Sequence, residues 1–447
     1  MGSSDLREHA LLLNLARVSD AVPGGRPPDP RGAPAAERAA ARWAATPPPE
    51  RFGDDYFQDP LGYFSALRQT RPVAPVLLPG AGGRAWMITG YEEARAALAD
   101  PRLVKDPRKL RPDWEPHPVF GALTMHLLNL DPPDHTRLRR LVSKAFTPRR
   151  VTVLRPRVEQ LTATLLDAAA ARARARDDGV VDLLDEFAFR LPVTVICELL
   201  GVPARDQDDF RDWSAVIVAD GGDDPQEWRA AATAMFGYFS RLLAAKRAEP
   251  GDDLLSALIS ARDSGDALTE MELTAMLFLL LVAGFETTVN LIASGTLALL
   301  SFPGELARLR ADPALLPGAV EELLRFANPL NHATERFTLA DLPVGDVVIP
   351  AGEWVLAVTS SANRDPARFP DPDRLDVGRD ASGHLAFGHG IHYCLGAPLA
   401  RLEGEVAIGS LVARFPGMSL AVPASQLRWR PSSLIHGLES LPVRLSV

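Results

Sequence analysis

The stretch FGHGIHYCLG, residues 387–396, sets one cysteine inside a glycine-rich loop that leads directly into an amphipathic helical pattern over 397–415. The glycines at positions 388, 390 and 396 permit positive backbone dihedral angles and a close approach of the chain to a flat partner. Backbone amides at the start of the helix can donate toward the sulfur of Cys394, so we expect these surroundings to lower the pKa of the thiol. The stretch therefore predicts a thiolate ligand, whereas a free cysteine is more commonly a small buried hydrophobe.

The composition indicates a large globular protein. The 447 residues are 47% hydrophobic and 23% charged, which is enough to bury a substantial core. Cys197 and Cys394 are the only cysteines, too few for a disulfide framework or a structural zinc site, so we expect a cytoplasmic protein. The net charge of -9 argues against a surface that binds nucleic acid.

The sequence predicts no membrane segment. Its first residues lack a basic segment followed by an apolar one, so it does not begin like a signal peptide. The longest apolar run, 273–285, has about 13 residues, and a helix that spans a bilayer needs roughly 20. We therefore interpret this run as the buried helix of a soluble protein.

The chain divides into an extension and one larger unit. Residues 1–52 are rich in proline, alanine and arginine, with one helix expected near Leu11, and cannot make a compact core by themselves. Residues 53–447 form a single unit that is mainly α with a minor β region. Helical periodicity covers 60–68, 91–99, 134–146, 151–173, 183–200, 206–218, 225–247, 254–262, 269–300, 315–326 and 397–415. Strand patterns cover 73–78, 85–89, 335–338, 347–349 and 354–358.

A second unusual segment lies within the predicted helix 269–300. The sequence AGFETT, residues 283–288, interrupts an apolar run with Ala283 and Gly284, and then with the carboxylate of Glu286 and the hydroxyl of Thr287. Gly284 weakens the helix and lets a ligand approach its backbone, while the hydroxyl can compete for a carbonyl one turn back and open a bulge. We expect a polar groove here, although a simple kink or an ion pair of Glu286 would fit the same residues.

The spacing Phe-x-x-Gly-x-x-x-Cys-x-Gly, with a basic residue two before the cysteine, resembles the haem-binding loop of the cytochrome P-450 family. The resemblance covers residues 53–447 and implies the cytochrome P-450 fold, in which the haem lies between a long central helix and the cysteine loop. It implies haem b (heme, iron protoporphyrin IX) with the thiolate of Cys394 as its axial ligand, and dioxygen as co-substrate. From these two elements, the residues implied to contact the haem are Ala283, Gly284, Phe387, Gly388, His392 and Gly396.

The resemblance also assigns a catalytic pair. Glu286 and Thr287 match the acid and alcohol that deliver protons during the cleavage of dioxygen in this family. Because members that use peroxide directly often replace this pair, its presence favours dioxygen plus electrons.

A buried haem needs cations or donors for its two propionates, because an unpaired buried charge is costly. His135 and Arg139 are four residues apart on one helix face and match the family's His-x-x-x-Arg pattern. Arg336 and His392 stand at the two other positions that the family uses. We therefore expect these four residues to bind the propionates.

Glu322 and Arg325 resemble the family's Glu-x-x-Arg element, which has a structural role. They are three residues apart on one helix face and can pair. With the downstream segments 363–366 and 368–372, they predict a buried network that supports the fold, although a surface ion pair would have the same sequence.

The family's substrate contacts correspond to residues 110–128, 213–238, 280–283, 330–334 and 432–435. These segments are mostly apolar with scattered polar side chains, which suits a sizeable hydrophobic small molecule held by a few hydrogen bonds. The pattern after the cysteine, 395–401, resembles soluble bacterial members that tailor macrolides and other polyketides. Members with similar motifs oxidise terpenes, steroids or drugs, so the substrate stays open.

Electrons must arrive from another protein. The chain lacks a flavin or nicotinamide module, and two cysteines cannot ligate an iron–sulfur cluster. The resemblance implies a ferredoxin and a ferredoxin reductase as donors. Arg137 and Arg140 are either part of a basic docking face for an acidic ferredoxin or ordinary solvated charges.

The sequence thus predicts a haem-thiolate monooxygenase that hydroxylates a C–H bond or epoxidises a C=C bond. One alternative is oxidative coupling or a peroxide-driven reaction on the same scaffold. Another is a non-catalytic haem protein that senses a gas, and the presence of Glu286 and Thr287 argues against it.

Overall fold

The computed structural model describes residues 48–53, 55–78, 83–110, 123, 125–143, 148–218, 225–263 and 268–446. The helix predicted near Leu11 and most of the N-terminal extension lie outside these residues. Glu50–Arg51, which the sequence assigned to the extension, form strand β1 and pair with Val76 and Leu77. The sheet therefore begins slightly before position 53.

Helices make up 57% of the structure, which confirms the mainly α fold. Most of them end within a few residues of the predicted limits. The helices are α1 (Pro60–Thr70), α2 (Tyr91–Ala99), α3 (Asp134–Ser143), α4 (Pro148–Arg174), α5 (Arg190–Leu200), α6 (Gln207–Val218), α7 (Pro225–Ala248), α8 (Leu254–Asp263), α9 (Glu270–Ser301), α10 (Pro303–Ala311), α11 (Leu316–Phe326), α12 (Thr359–Ala362) and α13 (Ala397–Arg414).

Two helical predictions differ from the structure. The pattern over 183–200 is divided into a π-helical turn (Leu184–Ala188) and α5, and strand β5 (Val180–Asp182) immediately precedes it. The side chain of Asp182 accepts hydrogen bonds from the backbone of Leu184 at 3.0 Å and Leu441 at 2.8 Å, which ties this turn to the C-terminal segment. Helix α10 was not predicted from the sequence; it begins at Pro303, and proline is well tolerated in the first turn of a helix.

The β structure is a small part of the molecule. Six strands form one sheet in the order β1-β2-β3-β9-β6-β4, β10-β11-β5 form a second, and β7-β8 form a hairpin. Strands β2 and β3 are antiparallel, with Pro75 opposite Trp86, and β3 runs parallel to β9. The remaining bounds are β2 (Val73–Leu77), β3 (Arg84–Ile88), β4 (Leu103–Val104), β6 (Arg336–Thr338), β7 (Leu342–Val344), β8 (Val347–Ile349), β9 (Trp354–Ala357), β10 (Ser419–Leu420) and β11 (Pro442–Arg444).

Helix α9 runs through the centre of the molecule. Thr269 begins it with a capping box, in which its hydroxyl accepts from the Glu272 amide at 3.2 Å and the Glu272 carboxylate accepts from the Thr269 amide at 2.7 Å. By length and composition this 32-residue helix would suffice to cross a membrane, because its apolar stretch extends beyond the run counted in the sequence. However, 72% of its most apolar window is buried against other elements of the protein.

Helix α13 follows the cysteine loop. The sequence predicted an amphipathic helix here, and this prediction is wrong. The helix is buried on several faces, and only its last residues, such as Arg414, are exposed. It packs between α4, α9 and α11. Gly404 allows the close approach of α9, since a β-carbon there would lie 3.0 Å from the side chain of Leu291. The cysteine loop is thus attached to one of the most enclosed elements of the fold.

A buried ion-pair network supports the same region, as the sequence predicted. The side chains of Glu322 and Arg325 are 0% exposed and pair through two contacts at 2.7 and 2.8 Å. Arg325 also donates to the carbonyl oxygens of Asn363 and Pro372, both at 2.9 Å. The side chain of Asn363 accepts from the Leu385 amide at 2.6 Å, which links the network to the chain just before the cysteine loop.

Candidate active site

The cysteine loop is a tight turn that depends on two of its glycines. Gly388 and Gly390 have φ angles of +71° and +76°, in the left-handed region that favours glycine. A β-carbon on Gly390 would lie 2.8 Å from the carbonyl oxygen of Leu98 in α2. The amide of Cys394 donates to the carbonyl oxygen of Phe387 at 2.9 Å, which closes the loop.

Gly396 differs from the prediction, because its φ of -81° lies in the ordinary region. Its role is a different one: a β-carbon there would stand 3.9 Å from the sulfur of Cys394. The glycine therefore keeps the space beside the sulfur open and does not supply an unusual backbone angle.

The predicted lowering of the thiol pKa is also wrong for the protein chain alone. Burial raises the pKa of Cys394, and this effect outweighs the backbone amides of Gly396 and Ala397 and the positive charge of Arg139, which act in the opposite direction. The amides and the cation reduce the cost of a buried thiolate but do not create one. A bound metal ion would supply the missing charge.

The loop faces α9 across a cavity of about 320 Å³. Cys394 and its neighbours line one side, and the AGFETT segment of α9 lines the other. Most of the remaining lining is apolar and comes from the segments 278–282, 329–336 and 432–435. Parts of the predicted substrate segments 110–128 and 213–238 lie outside the described residues, but His126, Leu128 and Ile217 from them also line the cavity.

The AGFETT segment remains a regular α-helix. The hydroxyl of Thr287 donates to the carbonyl oxygen of Ala283 at 3.3 Å, as expected, but the predicted bulge does not form. Gly284 lines the cavity and also faces α5, where a β-carbon would lie 3.0 Å from the side chain of Ile196. Two reasons therefore account for this glycine: the close packing of two helices, and access for a ligand.

Glu286 has a partner that the sequence did not reveal. Its carboxylate accepts a hydrogen bond within an ion pair from Arg430, and its backbone oxygen accepts from the side chain of Asn290 at 2.9 Å. Glu286 is buried but lines the cavity. Arg430 lies 144 positions further along the chain, and no motif spacing joins the two residues.

Three of the predicted propionate ligands meet beside the cysteine loop. His135 is 2% exposed, and its ring centroid lies 4.5 Å from that of His392. Neither ring nitrogen of His135, nor Nε2 of His392, has a hydrogen-bond partner among the described residues. Arg139 donates from Nη2 to the carbonyl oxygen of Tyr393 at 2.6 Å. Buried polar groups of this kind suit hydrogen bonds to a bound ligand.

Arg336 joins this cluster, together with a lysine that the sequence analysis missed. Arg336 is 5% exposed and donates from Nη1 to the carbonyl oxygen of Thr334 at 3.0 Å. Lys105 is 4% exposed and its ammonium group donates to the hydroxyl of Thr334 and to the carbonyl oxygen of Glu335. No local motif marks Lys105, which follows the two-residue strand β4 and is far from the other members in sequence.

The charges in the cluster are not balanced. Burial lowers the pKa of Arg336 to about 10 and that of Lys105 well below its usual value. Burial, followed by the charges of Lys105 and Arg336, also lowers the pKa of His392. Within the described part of the chain, Asp131 acts on the pKa of Arg336 in the opposite direction, and Asp131 and Glu335 do so on that of Lys105. Buried cations with orphaned donors suit a group that carries two carboxylates, and the propionates of haem fit this description.

The cysteine loop, the facing carboxylate and hydroxyl of α9, and the cation cluster at the side of one cavity define a protein of the haem-thiolate class. A family model described as Cytochrome P450 matches residues 224–421. Cytochrome P450 107B1 of Saccharopolyspora erythraea is 52% identical over 401 residues, which is 88% of this chain and 96% of that protein. The chain belongs to the cytochrome P450 family.

Two further relatives bear on function. Mycinamicin IV hydroxylase/epoxidase of Micromonospora griseorubida is 44% identical over 90% of this chain and 99% of that protein. The solved structure of the tirandamycin C-bound P450 monooxygenase TamI is 50% identical, covers 89% of this chain and 100% of that chain, and has a TM-score of 0.82. The protein is accordingly a cytochrome P450 monooxygenase with a cysteine-ligated haem and dioxygen as co-substrate.

Proposed function

We propose that this monooxygenase hydroxylates or epoxidises a sizeable hydrophobic natural product of the macrolide or polyketide type. The observation that carries the proposal is the largely apolar cavity that has Cys394 on one side and Glu286 with Thr287 on the other. Such a cavity holds a large apolar molecule and orients it with a few polar groups. The relatives support this class, since they include tailoring enzymes of macrolides and polyketides.

We assign the cofactor contacts as follows. Cys394 is the axial ligand, and the haem, when bound, supplies the activation of dioxygen. The loop residues Phe387, Gly388 and Gly396 and the helix residues Ala283 and Gly284 enclose it from opposite sides. The propionates are bound by His135, Arg139, Arg336 and His392, and we add Lys105 to this set because it is buried beside them.

Glu286 and Thr287 are proposed to deliver protons. Thr287 holds its hydroxyl at the cavity wall through the bond to Ala283, and Glu286 presents a carboxyl group one residue earlier on the same helix. A carboxyl group and a hydroxyl at a cavity wall can pass protons through water to the dioxygen co-substrate. Apolar walls limit the entry of bulk water, so the proton supply depends on these two groups.

The substrate is proposed to contact the mostly apolar segments of the cavity wall. His126 is a polar group at this wall. It is 1% exposed, its Nδ1 has no hydrogen-bond partner among the described residues, and its ring stacks on that of Phe278 with 6.1 Å between the ring centroids. Burial, followed by the charge of Lys105, lowers the pKa of His126 to about 3, so its ring is neutral at physiological pH. A neutral imidazole suits a hydroxyl or carbonyl group of the substrate.

Electrons are proposed to come from a ferredoxin and its reductase. Of the two arginines considered for docking, Arg140 is exposed, whereas Arg137 is half-buried against Glu272 of α9. Arg140 is therefore the better candidate for contact with an acidic partner. We also retain the division into an extension and a catalytic domain, with the boundary moved to just before Glu50, and a cytoplasmic location.

The test is turnover of candidate substrates with a ferredoxin, its reductase and isotopically labelled dioxygen. We would offer tirandamycin C and mycinamicin IV, and compare product masses. The proposal predicts a product that has gained one labelled oxygen atom from dioxygen. A product that has gained no oxygen would instead support oxidative coupling. A product that gains labelled oxygen only when labelled peroxide is added would support the peroxide-driven alternative.

A further inference from the structure

The chain near its C-terminus folds back on itself and reaches the cavity. Residues 429–438 form a C-terminal hairpin, in which Trp429 is bridged to Leu438. The side chain of Gln58 clamps the start of this hairpin by donating to the carbonyl oxygen of Trp429 at 2.9 Å and accepting from its amide at 3.1 Å. The tip of the hairpin, residues 432–435, lines the cavity.

The same hairpin directs Arg430 toward α9. The guanidinium group of Arg430 forms the ion pair with Glu286 and donates to the side-chain oxygen of Asn290 at 3.3 Å. Asn290 in turn donates to the backbone oxygen of Glu286 at 2.9 Å. Arg430 therefore contacts the carboxylate of Glu286 and also the side chain of Asn290, which lies one turn later and binds the backbone oxygen of Glu286.

A glycine opposite Arg430 makes room for this contact. The amide of Arg430 donates to the carbonyl oxygen of Gly437 at 2.9 Å across the hairpin. A β-carbon on Gly437 would lie 2.7 Å from Nη2 of Arg430 and 2.4 Å from the side-chain oxygen of Asn290. Any side chain at 437 would therefore displace the guanidinium group or the amide from Glu286.

We propose that Arg430 is a positioning residue for the proton-delivery acid, and that it fixes the orientation of the Glu286 carboxylate from the hairpin that also forms the cavity wall. The inference rests on the proposed role of Glu286. The side chain of Glu286 is 9% exposed and that of Arg430 is 30% exposed, so the carboxylate is largely removed from water, and loss of the arginine would leave it buried without this partner. The orientation of the acid thus depends on a segment outside α9.

The readout that tests this inference is the carbon–oxygen stretching band of the ferrous carbon monoxide complex. The frequency of this band responds to charge and hydrogen-bond donors beside the bound gas, and carbon monoxide needs no substrate. We expect Arg430→Gln to move the band and Arg430→Lys to restore most of the original position. Gly437→Ala should move it in the same direction as Arg430→Gln, because it displaces the guanidinium group without removing the charge.

The decisive comparison is with Glu286→Gln. Because Arg430 acts through Glu286, the double variant should have the band of Glu286→Gln alone. Arg428→Gln is the matched control, since Arg428 is exposed, immediately precedes the hairpin and should leave the band unchanged. Thermal unfolding of each variant separates a displaced band from a damaged fold.

Two results would overturn the inference. One is a band in Arg430→Gln at the wild-type position. The other is a displacement by Arg430→Gln that persists at full size in the Glu286→Gln background, as a merely structural arginine would give. Absence of the thiolate-type optical spectrum in the wild-type carbon monoxide complex would instead contradict the proposed function itself, so the two failures are distinguishable.

Discussion

Glu403 in α13 is 1% exposed, and its Oε2 atom has no hydrogen-bond partner among the described residues. Burial raises the pKa of its carboxyl group from 4.5 to about 8. The folded protein therefore keeps a proton on Glu403 at neutral pH that the unfolded chain has released. This carboxyl group stabilises the fold only while it is protonated.

The pH dependence of unfolding tests this effect. Between pH 4.5 and about 8, the folded state binds the proton more tightly, so the free energy of unfolding falls as the pH rises. The contribution of Glu403 to this fall is at most about 1.4 kcal/mol per pH unit. We predict that Glu403→Gln loses this dependence and gains stability relative to wild type from pH 5 to pH 8. Parallel denaturant curves across this range would contradict the prediction.

At the scale of the residue, motif spacing identified several residues that do line one cavity, including Cys394 and Thr287. Arg430 and Lys105 were not identified from the sequence because each reaches the site through a contact between distant segments. A lone basic residue in a loop has no characteristic pattern. The pKa of Cys394 was mispredicted for a related reason. Its sequence neighbours reveal the nearby amides, but burial, which dominates, depends on the whole fold.

At the scale of the element, the cysteine loop depends on glycine at two positions for different reasons. Gly388 has a positive φ and open space beside it, whereas Gly390 has a positive φ and the Leu98 carbonyl oxygen next to it. A substitution at Gly388 therefore introduces backbone strain alone, whereas a substitution at Gly390 introduces backbone strain and steric crowding together.

We predict that Gly388→Ala costs roughly 1–2 kcal/mol, the usual cost of the left-handed conformation for a residue with a β-carbon. Gly390→Ala should cost a further 1–3 kcal/mol or so, because α2 or the loop must shift. Denaturant unfolding with the haem content of each variant as a second readout measures both. Equal losses for the two variants would show that contact with α2 is unimportant.

The sequence predicted most elements but not their packing. Helix α9 was predicted from its helical pattern over 269–300, whereas the capping box of Thr269 and Glu272 became evident only in the structure. The bulge at Thr287 was expected because its hydroxyl competes for the Ala283 carbonyl, yet the structure accommodates that bond within a regular helix. Short strands such as Leu103–Val104 exist only through pairing with distant partners, so their local sequence is uninformative.

At the scale of the molecule, the buried Glu322–Arg325 pair connects α11 to the segments before the cysteine loop. Removing one member leaves the other charge buried without its partner, which typically costs 3–5 kcal/mol or so. We therefore predict that Glu322→Gln sharply lowers the free energy of unfolding and the yield of folded protein.

The control for this prediction is Glu159→Gln. Glu159 pairs with Arg155 on α4 at 3.8 Å, and both side chains are about half exposed. An exposed pair of this kind contributes roughly 0.5 kcal/mol or less. If the two substitutions destabilised the protein equally in thermal unfolding, the buried network would not be the support of the cysteine loop that the structure indicates.

The cavity itself belongs to this largest scale. Its wall combines the cysteine loop, the centre of α9, the segment 329–336 and the C-terminal hairpin, which are widely separated in sequence. The fold class followed from motifs in two of these segments. The shape of the cavity did not, because it depends on how all four meet.

The most direct test of the central claim is the optical spectrum of the reduced protein with carbon monoxide, for wild type, Cys394→Ala and Cys197→Ala. Cys197 is 0% exposed in the core beside α9, so its substitution is the matched control. We predict a strongly red-shifted Soret band in wild type and Cys197→Ala, and its loss in Cys394→Ala. No such band in wild type, or one that survives in Cys394→Ala, would contradict thiolate ligation of haem by Cys394.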